Sequence, residues 1–250
     1  MNRPCGKHDK KVIVVMPAYN AARTLERVYA EIPKEWVDEV ILVDDASTDD
    51  TFEVARRLPI KVIRHDRNRG YGGNQKTCYT EALKDGADIV VMIHADYQYD
   101  PKVLPQFVEP IAAGRADVVF GSRILGGEAL RRGMPRYKHF SNMVLGGIKN
   151  LALGAAYTDL HSGYRAYSRR ALSSVAFMRN SEDHVFDAQM IFQLHHKGFR
   201  ILEVPIPALY HEEASSLGPV GCMVYGVKAL WTVARYRLHR AGIWRSRLFE

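Results

Sequence analysis

With 250 residues, 47% hydrophobic and 25% charged, the chain has the balance of a folded domain of moderate size. That excludes a disordered, collagen-like or fibrous coiled-coil protein for the bulk of it. Lys and Arg outnumber Asp and Glu by 35 to 28, a formal charge of +7 that favours anionic partners such as nucleic acid, nucleotides or an anionic membrane surface. No run of about 20 uncharged apolar residues is present, and the polar stretch 1–11 lacks the apolar core of a secretory signal. Cys5, Cys78 and Cys222 are far apart and form no CxxC pair, so reduced thiols in a cytoplasmic protein are expected rather than a zinc site or disulfide framework.

The first apolar run, Val12 to Met16, is short and β-branched and predicts a buried strand that stops at Pro17. Asn20 is placed to cap a helix over 21–32, where Leu25, Val28, Tyr29 and Ile32 recur at helical spacing. A second strand, 39–43, ends in Asp44 and Asp45, a helix follows over 51–58, and 61–64 is a third strand. A glycine-rich loop is expected over 68–74, then a helix over 75–85 and a fourth strand over 89–93. This alternation predicts βαβ units and a mainly parallel sheet, whose binding crevice lies beyond the carboxyl ends of the strands. The polar clusters at 17–20, 44–49 and 94–98 all fall there.

Further on, a helix is expected over 103–113, a strand over 118–120 and a basic, glycine-containing loop over 126–135. The stretch 138–156 reads as a helix with Met143, Val144, Ile148, Leu151 and Ala152 on one broad face. A helix over 185–196 and a strand over 201–204 complete the pattern. The terminal stretch 222–250 carries Lys228, Arg235, Arg237, Arg240, Arg245 and Arg247 against Glu250, interleaved with Tyr225, Trp231, Tyr236, Trp244 and Phe249. A basic amphipathic helix of this kind either lies on an anionic membrane or packs on the domain with a solvated basic face. The expected organisation is one α/β domain over 1–220 with a basic amphipathic helical extension over 221–250.

Asp96 is a hard oxygen ligand suited to Mg²⁺ or Mn²⁺. His94 and Gln98 stand two residues to either side of it, on the same side if the segment is extended. An ion held there would neutralise charge on a departing nucleoside diphosphate. The alternative is a strand-end turn in which Asp96 caps backbone groups. Of the adjacent Asp44 and Asp45, one is placed to accept from a base or ribose while the other orients the turn. Gly70 to Gln75 fails the GxGxxG pattern and follows the third strand, so the glycines predict a tight loop near a ligand, with Lys76 adding positive charge. Arg123, after Gly121-Ser122, suits phosphate oxygens.

Taken in order, Val14-Val15-Met16-Pro17-Ala18-Tyr19-Asn20, Val43 to Asp49, His94-Ala95-Asp96-Tyr97-Gln98 with Asp100-Pro101, Gly121-Ser122-Arg123 and Asp159 to Arg165 resemble family 2 glycosyltransferases of the GT-A fold. The match runs from Val12 to about Ser216 and looks most like the dolichyl- or polyprenyl-phosphate sugar synthase branch. The resemblance implies a GT-A, Rossmann-like, mainly parallel sheet flanked by helices. It implies an inverting transfer from a UDP- or GDP-linked sugar with Mg²⁺ or Mn²⁺. The expected acceptor is a polyprenyl or dolichyl phosphate at the cytoplasmic face of the membrane, with the enzyme peripheral on that inner face.

On the same resemblance Pro17, Tyr19, Val43, Asp45, Asp96 and Arg123 hold the nucleotide sugar; Ala18, Asn20, Asp44 and Ala95 from the same segments, and Lys76 beside the glycine-rich stretch, complete the expected nucleotide-sugar site. The metal set is Asp96, His94 and Gln98. His94 replaces the family's first Asp, so ion binding is expected to rest mainly on Asp96. The branch places Arg and Lys after its last strand, where this chain has His211 and Leu217; Arg131, Arg132, Arg136 and Lys138 are candidates to supply that charge. Arg165 and His211 are the expected acceptor or phosphate contacts. A phosphate acceptor is already anionic, whereas a hydroxyl acceptor of a glycan or glycolipid needs a carboxylate base. Asp183, in Glu182-Asp183, and Asp187 are the candidates beside Asp96 for catalysis.

Three alternatives stay open at this level: a hydroxyl acceptor, a degenerate chain that only binds nucleotide sugar, and a nucleotidyltransferase. The last is disfavoured because 12–20 holds no glycine-rich activation loop. Nucleic acid is not an expected partner, since nothing resembles an RNA-recognition motif and the terminal aromatics fall at helical spacing.

Overall fold

The computed structural model describes residues 9–127, 129–130, 133–207 and 218–250, without the side chains of Lys138 and Pro219. Cys5, Arg131, Arg132, His211 and Leu217 lie outside the described residues. A seven-stranded mixed sheet runs in the order β3-β2-β1-β4-β6-β5-β7. Its strands are β1 (Val12–Ala18), β2 (Glu39–Asp44), β3 (Lys61–Arg64), β4 (Ile89–Met92), β5 (Val118–Ser122), β6 (Arg165–Ser168) and β7 (Ile201–Pro205). All pairs are parallel except those of β6, which is antiparallel to β4 and β5. The expected mainly parallel α/β sheet is present, with β6 as the strand that the sequence pattern did not separate from its motif.

The helices are α1 (Leu25–Glu31), α2 (Thr51–Arg56), α3 (Gly70–Lys84), α4 (Leu104–Ala112), α5 (Arg136–Leu153), α6 (Arg169–Ser174), α7 (Phe186–His196) and α8 (Pro219–Arg240). Every residue of β1 is buried because the sheet is covered on both faces. Val12, Val14 and Met16 join Leu25, Val28, Ala55, Leu104 and Phe107 on one face. Ile13 and Val15 join Cys78, Tyr79, Leu172, Phe186 and Met190 on the other. Alternation of side chains across the strand sends these neighbours to opposite cores.

The first strand does not stop at Pro17 but pairs with β2 through Ala18, and three further boundaries differ from the sequence pattern. The glycine-rich stretch is not a loop: α3 begins at Gly70 and contains Gly72 and Gly73. Asp45 accepts from the backbone of Arg69 (2.8 Å) and Gly70 (3.0 Å), and the Glu182 carbonyl accepts from Gly72 (2.8 Å). These distant acceptors satisfy the orphan donors of the first turn, which lets a glycine-rich segment start a helix. Asn20 does not cap a helix. It sits at φ 52° and accepts from the backbone of Thr48 (2.9 Å), while α1 starts later, at Leu25. The terminal extension is not one helix to Glu250: α8 stops at Arg240, and Gly242 at φ 72° turns the chain back. Leu248 and Phe249 are thereby buried in the core, with the Phe249 ring 5.3 Å from that of Tyr236.

Candidate active site

Beyond the carboxyl ends of β1, β2, β4 and β5 lies a cavity of about 970 Å³. Pro17, Ala18 and Tyr19 approach it from β1, Asp45 from β2, His94, Ala95, Asp96 and Gln98 from β4, and Arg123 from β5. The first turn of α7 contributes Asp187, and α5 and α8 close the far side with Tyr137, Phe140, Val144, Leu145, Cys222, Met223 and Tyr225.

Of the residues expected to bind nucleotide sugar, Pro17, Ala18, Tyr19, Asp45, Ala95, Asp96 and Arg123 line this cavity and Asn20, Val43, Asp44 and Lys76 do not. Tyr19 is half-exposed at the edge, whereas Asp45 is buried and held by His65 Nδ1 at 2.6 Å as well as by the α3 backbone. Its neighbour Asp44 turns away, accepts from the backbone of Ser47 (3.2 Å) and pairs with Arg64 Nε at 3.3 Å. Val43 is fully buried, with its carbonyl taking the Asn74 amide at 3.0 Å. Lys76 lies within α3, 3.8 Å from Glu182 Oε1.

The segment 94–98 is a turn and not an extended strand, because Tyr97 takes φ 57°. The expected alternation of His94, Asp96 and Gln98 therefore does not operate, although all three reach the cavity. Asp96 Oδ1 accepts from the Gln98 backbone at 3.1 Å, so its capping role exists alongside any other. His94 Nε2 lies 3.3 Å from the Tyr71 hydroxyl, and a side chain at Gly163 would run into that imidazole. No group of three or more His, Cys, Asp or Glu that could hold a metal occurs among the described residues. One carboxylate with an amide nearby fits an ion that takes most of its remaining ligands from substrate phosphates and water, as Mg²⁺ commonly does; it does not fit a preformed protein cage.

Arg123 forms a bidentate pair with Asp159, Nε to Oδ2 at 2.7 Å and Nη2 to Oδ1 at 2.9 Å. Burial raises the pKa of Asp159, but the charge and hydrogen bonds of Arg123 outweigh that and hold it well below the usual carboxylate range. The pair fixes a guanidinium at the cavity wall.

The two candidate bases separate cleanly. Asp187 faces the cavity, where it accepts from Tyr71 (2.8 Å) and Gln75 (3.3 Å). Asp183 does not reach it; its Oδ1 accepts from the Val185 backbone at 3.0 Å and its Oδ2 meets Lys228. Arg165, expected at the acceptor, is instead fully buried beneath the site. It donates to the carbonyls of Ser162 (2.9 Å) and Asp187 (3.2 Å) and lies 3.7 Å from Asp187 Oδ2. A strand position in the sheet core leaves it to act only through Asp187.

Several lining residues escaped the sequence pattern. Tyr71 stacks on His184 with centroids 4.4 Å apart and on His94 at 5.5 Å. Burial, and then the charge of Asp187, raise the Tyr71 hydroxyl well above its usual pKa, so it remains a donor. Within a segment whose glycines predict a loop, Tyr71 carries no signal of its own. The sequence pattern holds His161 only as a member of the stretch 159–165 and Tyr225 only as one of the terminal aromatics; tertiary packing brings both to the cavity.

Comparison with known proteins places this chain in a family. Glycosyl transferase family 2 matches residues 13–175, and the chain belongs to it. It is a glycosyltransferase with a GT-A-type fold. A UDP-N-acetylglucosamine–dolichyl-phosphate N-acetylglucosaminyltransferase of Methanococcus voltae is 29% identical over 227 residues, covering 84% of this chain and 90% of that one. An undecaprenyl-phosphate mannosyltransferase of Micrococcus luteus is 30% identical over 247 residues, covering 91% and 99%. Among solved structures, glucosyl-3-phosphoglycerate synthase from Mycobacterium tuberculosis, in complex with Mn²⁺, UDP and phosphoglyceric acid, superposes with a TM-score of 0.73. It shares 21% identity and covers 95% of this chain and 81% of that one, a likeness of fold.

Proposed function

We propose that this glycosyltransferase moves a sugar, with inversion, from a nucleoside-diphosphate sugar to a polyprenyl or dolichyl phosphate at the cytoplasmic face of the membrane. One observation carries the proposal: a single cavity joins the polar strand ends to an apolar wall made by α5 and α8. Beyond the cavity the same two helices expose Met143, Leu151 (82%), Val220, Val227 and Trp231, and the lining residues Phe140 (69%) and Met223 (72%) are exposed as well. Exposed apolar area on this scale marks a surface that meets something apolar. A lipid chain entering between the helices and a membrane beneath them account for both features. No helix among the described residues is long and apolar enough to cross a membrane, and the contact proposed is that of exposed apolar helix faces lying on the surface.

In this scheme Tyr19 covers the base, Asp45 stands by the ribose and Arg123 grips the diphosphate. Asp96, with His94 and Gln98 beside it, is the place for Mg²⁺ or Mn²⁺, which when bound neutralises charge on the departing diphosphate. An acceptor phosphate oxygen forms the new bond to the anomeric carbon as the bond to the diphosphate breaks, and the nucleoside diphosphate leaves with the electron pair. The attacking oxygen is already anionic, so no residue has to remove a proton. The buried Asp187 supports one second reading, a hydroxyl acceptor whose proton Asp187 takes.

The experiment is calorimetry with UDP, GDP and their sugar conjugates, with and without Mn²⁺ or Mg²⁺, followed by transfer to a polyprenyl phosphate and to the matching alcohol. Metal-dependent binding of one nucleotide, abolished in Asp96→Ala, and transfer to the phosphate alone are expected. Transfer to the alcohol would establish the second reading, and no nucleotide binding by the folded protein would end both.

A further inference from the structure

Lys149, on α5, is 2% exposed, yet among the described residues no carboxylate lies within 4.0 Å of its ammonium. Its Nζ is 3.1 Å from His161 Nε2 and 2.8 Å from the Tyr225 hydroxyl. An isolated buried ammonium is costly, and a lysine so placed normally has an anion beside it. His161 and Tyr225 both line the cavity, on the side where α5 and α8 form its apolar wall.

The proton positions follow from the charged form of Lys149, the form that an anion beside it would favour. An ammonium only donates, so His161 Nε2 accepts and the ring proton sits on Nδ1. That Nδ1 is buried and has no partner among the described residues. The Tyr225 oxygen likewise accepts from Lys149, which leaves its own proton to be donated elsewhere. Burial, Lys149 and neighbouring arginines keep His161 neutral by lowering its pKa well below the ordinary value, while Asp159 opposes them. Burial first, then Arg165, lowers Lys149 to about 7, so an anion nearby would favour its charged form. The cluster therefore presents surplus donors and one cation, with acceptors lacking.

We infer that Lys149, His161 and Tyr225 form the site for the phosphate monoester of the prenyl acceptor. His161 Nδ1–H and the Tyr225 O–H are its donors, and Lys149 is the positioning residue that sets the tautomer of one and orients the other. This rests on the lipid-phosphate acceptor proposed above. Placement beside the apolar wall favours the acceptor over the donor diphosphate, which belongs with Asp96 and Arg123.

The test is calorimetric titration with geranyl phosphate, geraniol, and UDP with Mn²⁺, of the wild type and of Lys149→Met, Tyr225→Phe, His161→Ala and His161→Asn. Tyr225→Phe deletes one hydroxyl and serves even if Lys149→Met fails to fold. Loss of a hydrogen bond to a charged group predicts roughly tenfold weaker geranyl phosphate binding in Lys149→Met, Tyr225→Phe and His161→Ala. His161→Asn, which keeps an N–H near the place of Nδ1, should recover most of the affinity. Geraniol and UDP binding should be unchanged. Unchanged geranyl phosphate binding overturns the inference, as does equal loss for geraniol (packing alone) or loss confined to UDP (a donor site). If the wild type binds UDP but no geranyl phosphate, the acceptor reading falls with it; if only the variants are silent, that reading stands.

Discussion

The Tyr71 hydroxyl donates to Asp187 Oδ2 at 2.8 Å, and this bond ties the first turn of α3 to the first turn of α7 in the wall of the cavity. Behind it Arg165, fully buried, stands 3.7 Å from the same carboxylate oxygen. Asp187 is therefore both a wall of the site and the counter-charge of a buried guanidinium.

Asp187→Asn separates these roles. Removing one partner of a buried pair leaves the other charge uncompensated, so urea unfolding should show a loss of about 3 kcal/mol. Turnover with a lipid phosphate, measured where the variant is folded, should fall less than about tenfold, because that acceptor needs no base. A loss of ~10³-fold is the signature of general-base catalysis and would assign Asp187 to a hydroxyl acceptor.

Asp159 makes stability depend on pH. Its folded pKa is depressed below the unfolded value of about 3.9. The unfolded state therefore binds the proton first as pH falls, and the contribution of the Arg123 pair, complete above that value, is lost progressively below it. Asp159→Asn should cost about 3 kcal/mol at neutral pH. The gap between variant and wild type should narrow below about pH 4, as followed by denaturant titrations at several pH values.

Gly72 and Gly147 are both helical glycines, and alanine at each should act with opposite sign. A Cβ at Gly72 would meet the Ser181 carbonyl and lie 2.9 Å from Phe186 Cβ, so Gly72→Ala should cost about 1–3 kcal/mol by overpacking. At Gly147 nothing lies within 4 Å, so alanine there should stabilise by about 0.5–1 kcal/mol through helix propensity. Thermal melts of the two variants read both shifts directly.

Membrane contact predicts that Phe140→Glu and Trp231→Glu each weaken co-sedimentation with anionic vesicles by about tenfold, the scale of withdrawing one large apolar side chain. Neutralising Arg237 and Arg240 should matter most at low salt, since exposed charges are screened. Undiminished sedimentation of both Glu variants would remove the surface of α5 and α8 from the membrane proposal.

The strand-ending clusters were legible along the chain because each is local: a short apolar run, then Pro17 to Tyr19, Asp45, Asp96 or Arg123. A parallel sheet brings such ends to one edge wherever its strands alternate with helices. The family resemblance came from the same segments. What local pattern could not decide was which side chains face inward. Tyr97 at positive φ makes 94–98 a strand-end turn rather than an extended segment, the two readings that the pattern left open, and acceptors from Asp45 and Glu182 turned an expected glycine loop into the start of α3. Arg165 left the acceptor site for the sheet core, and Phe249 left an expected helix for a buried socket. The Lys149, His161 and Tyr225 cluster joins Lys149 to residues 12 and 76 positions away. Burial and hydrogen-bond satisfaction are sums over the whole packed chain, so only the tertiary structure decides them.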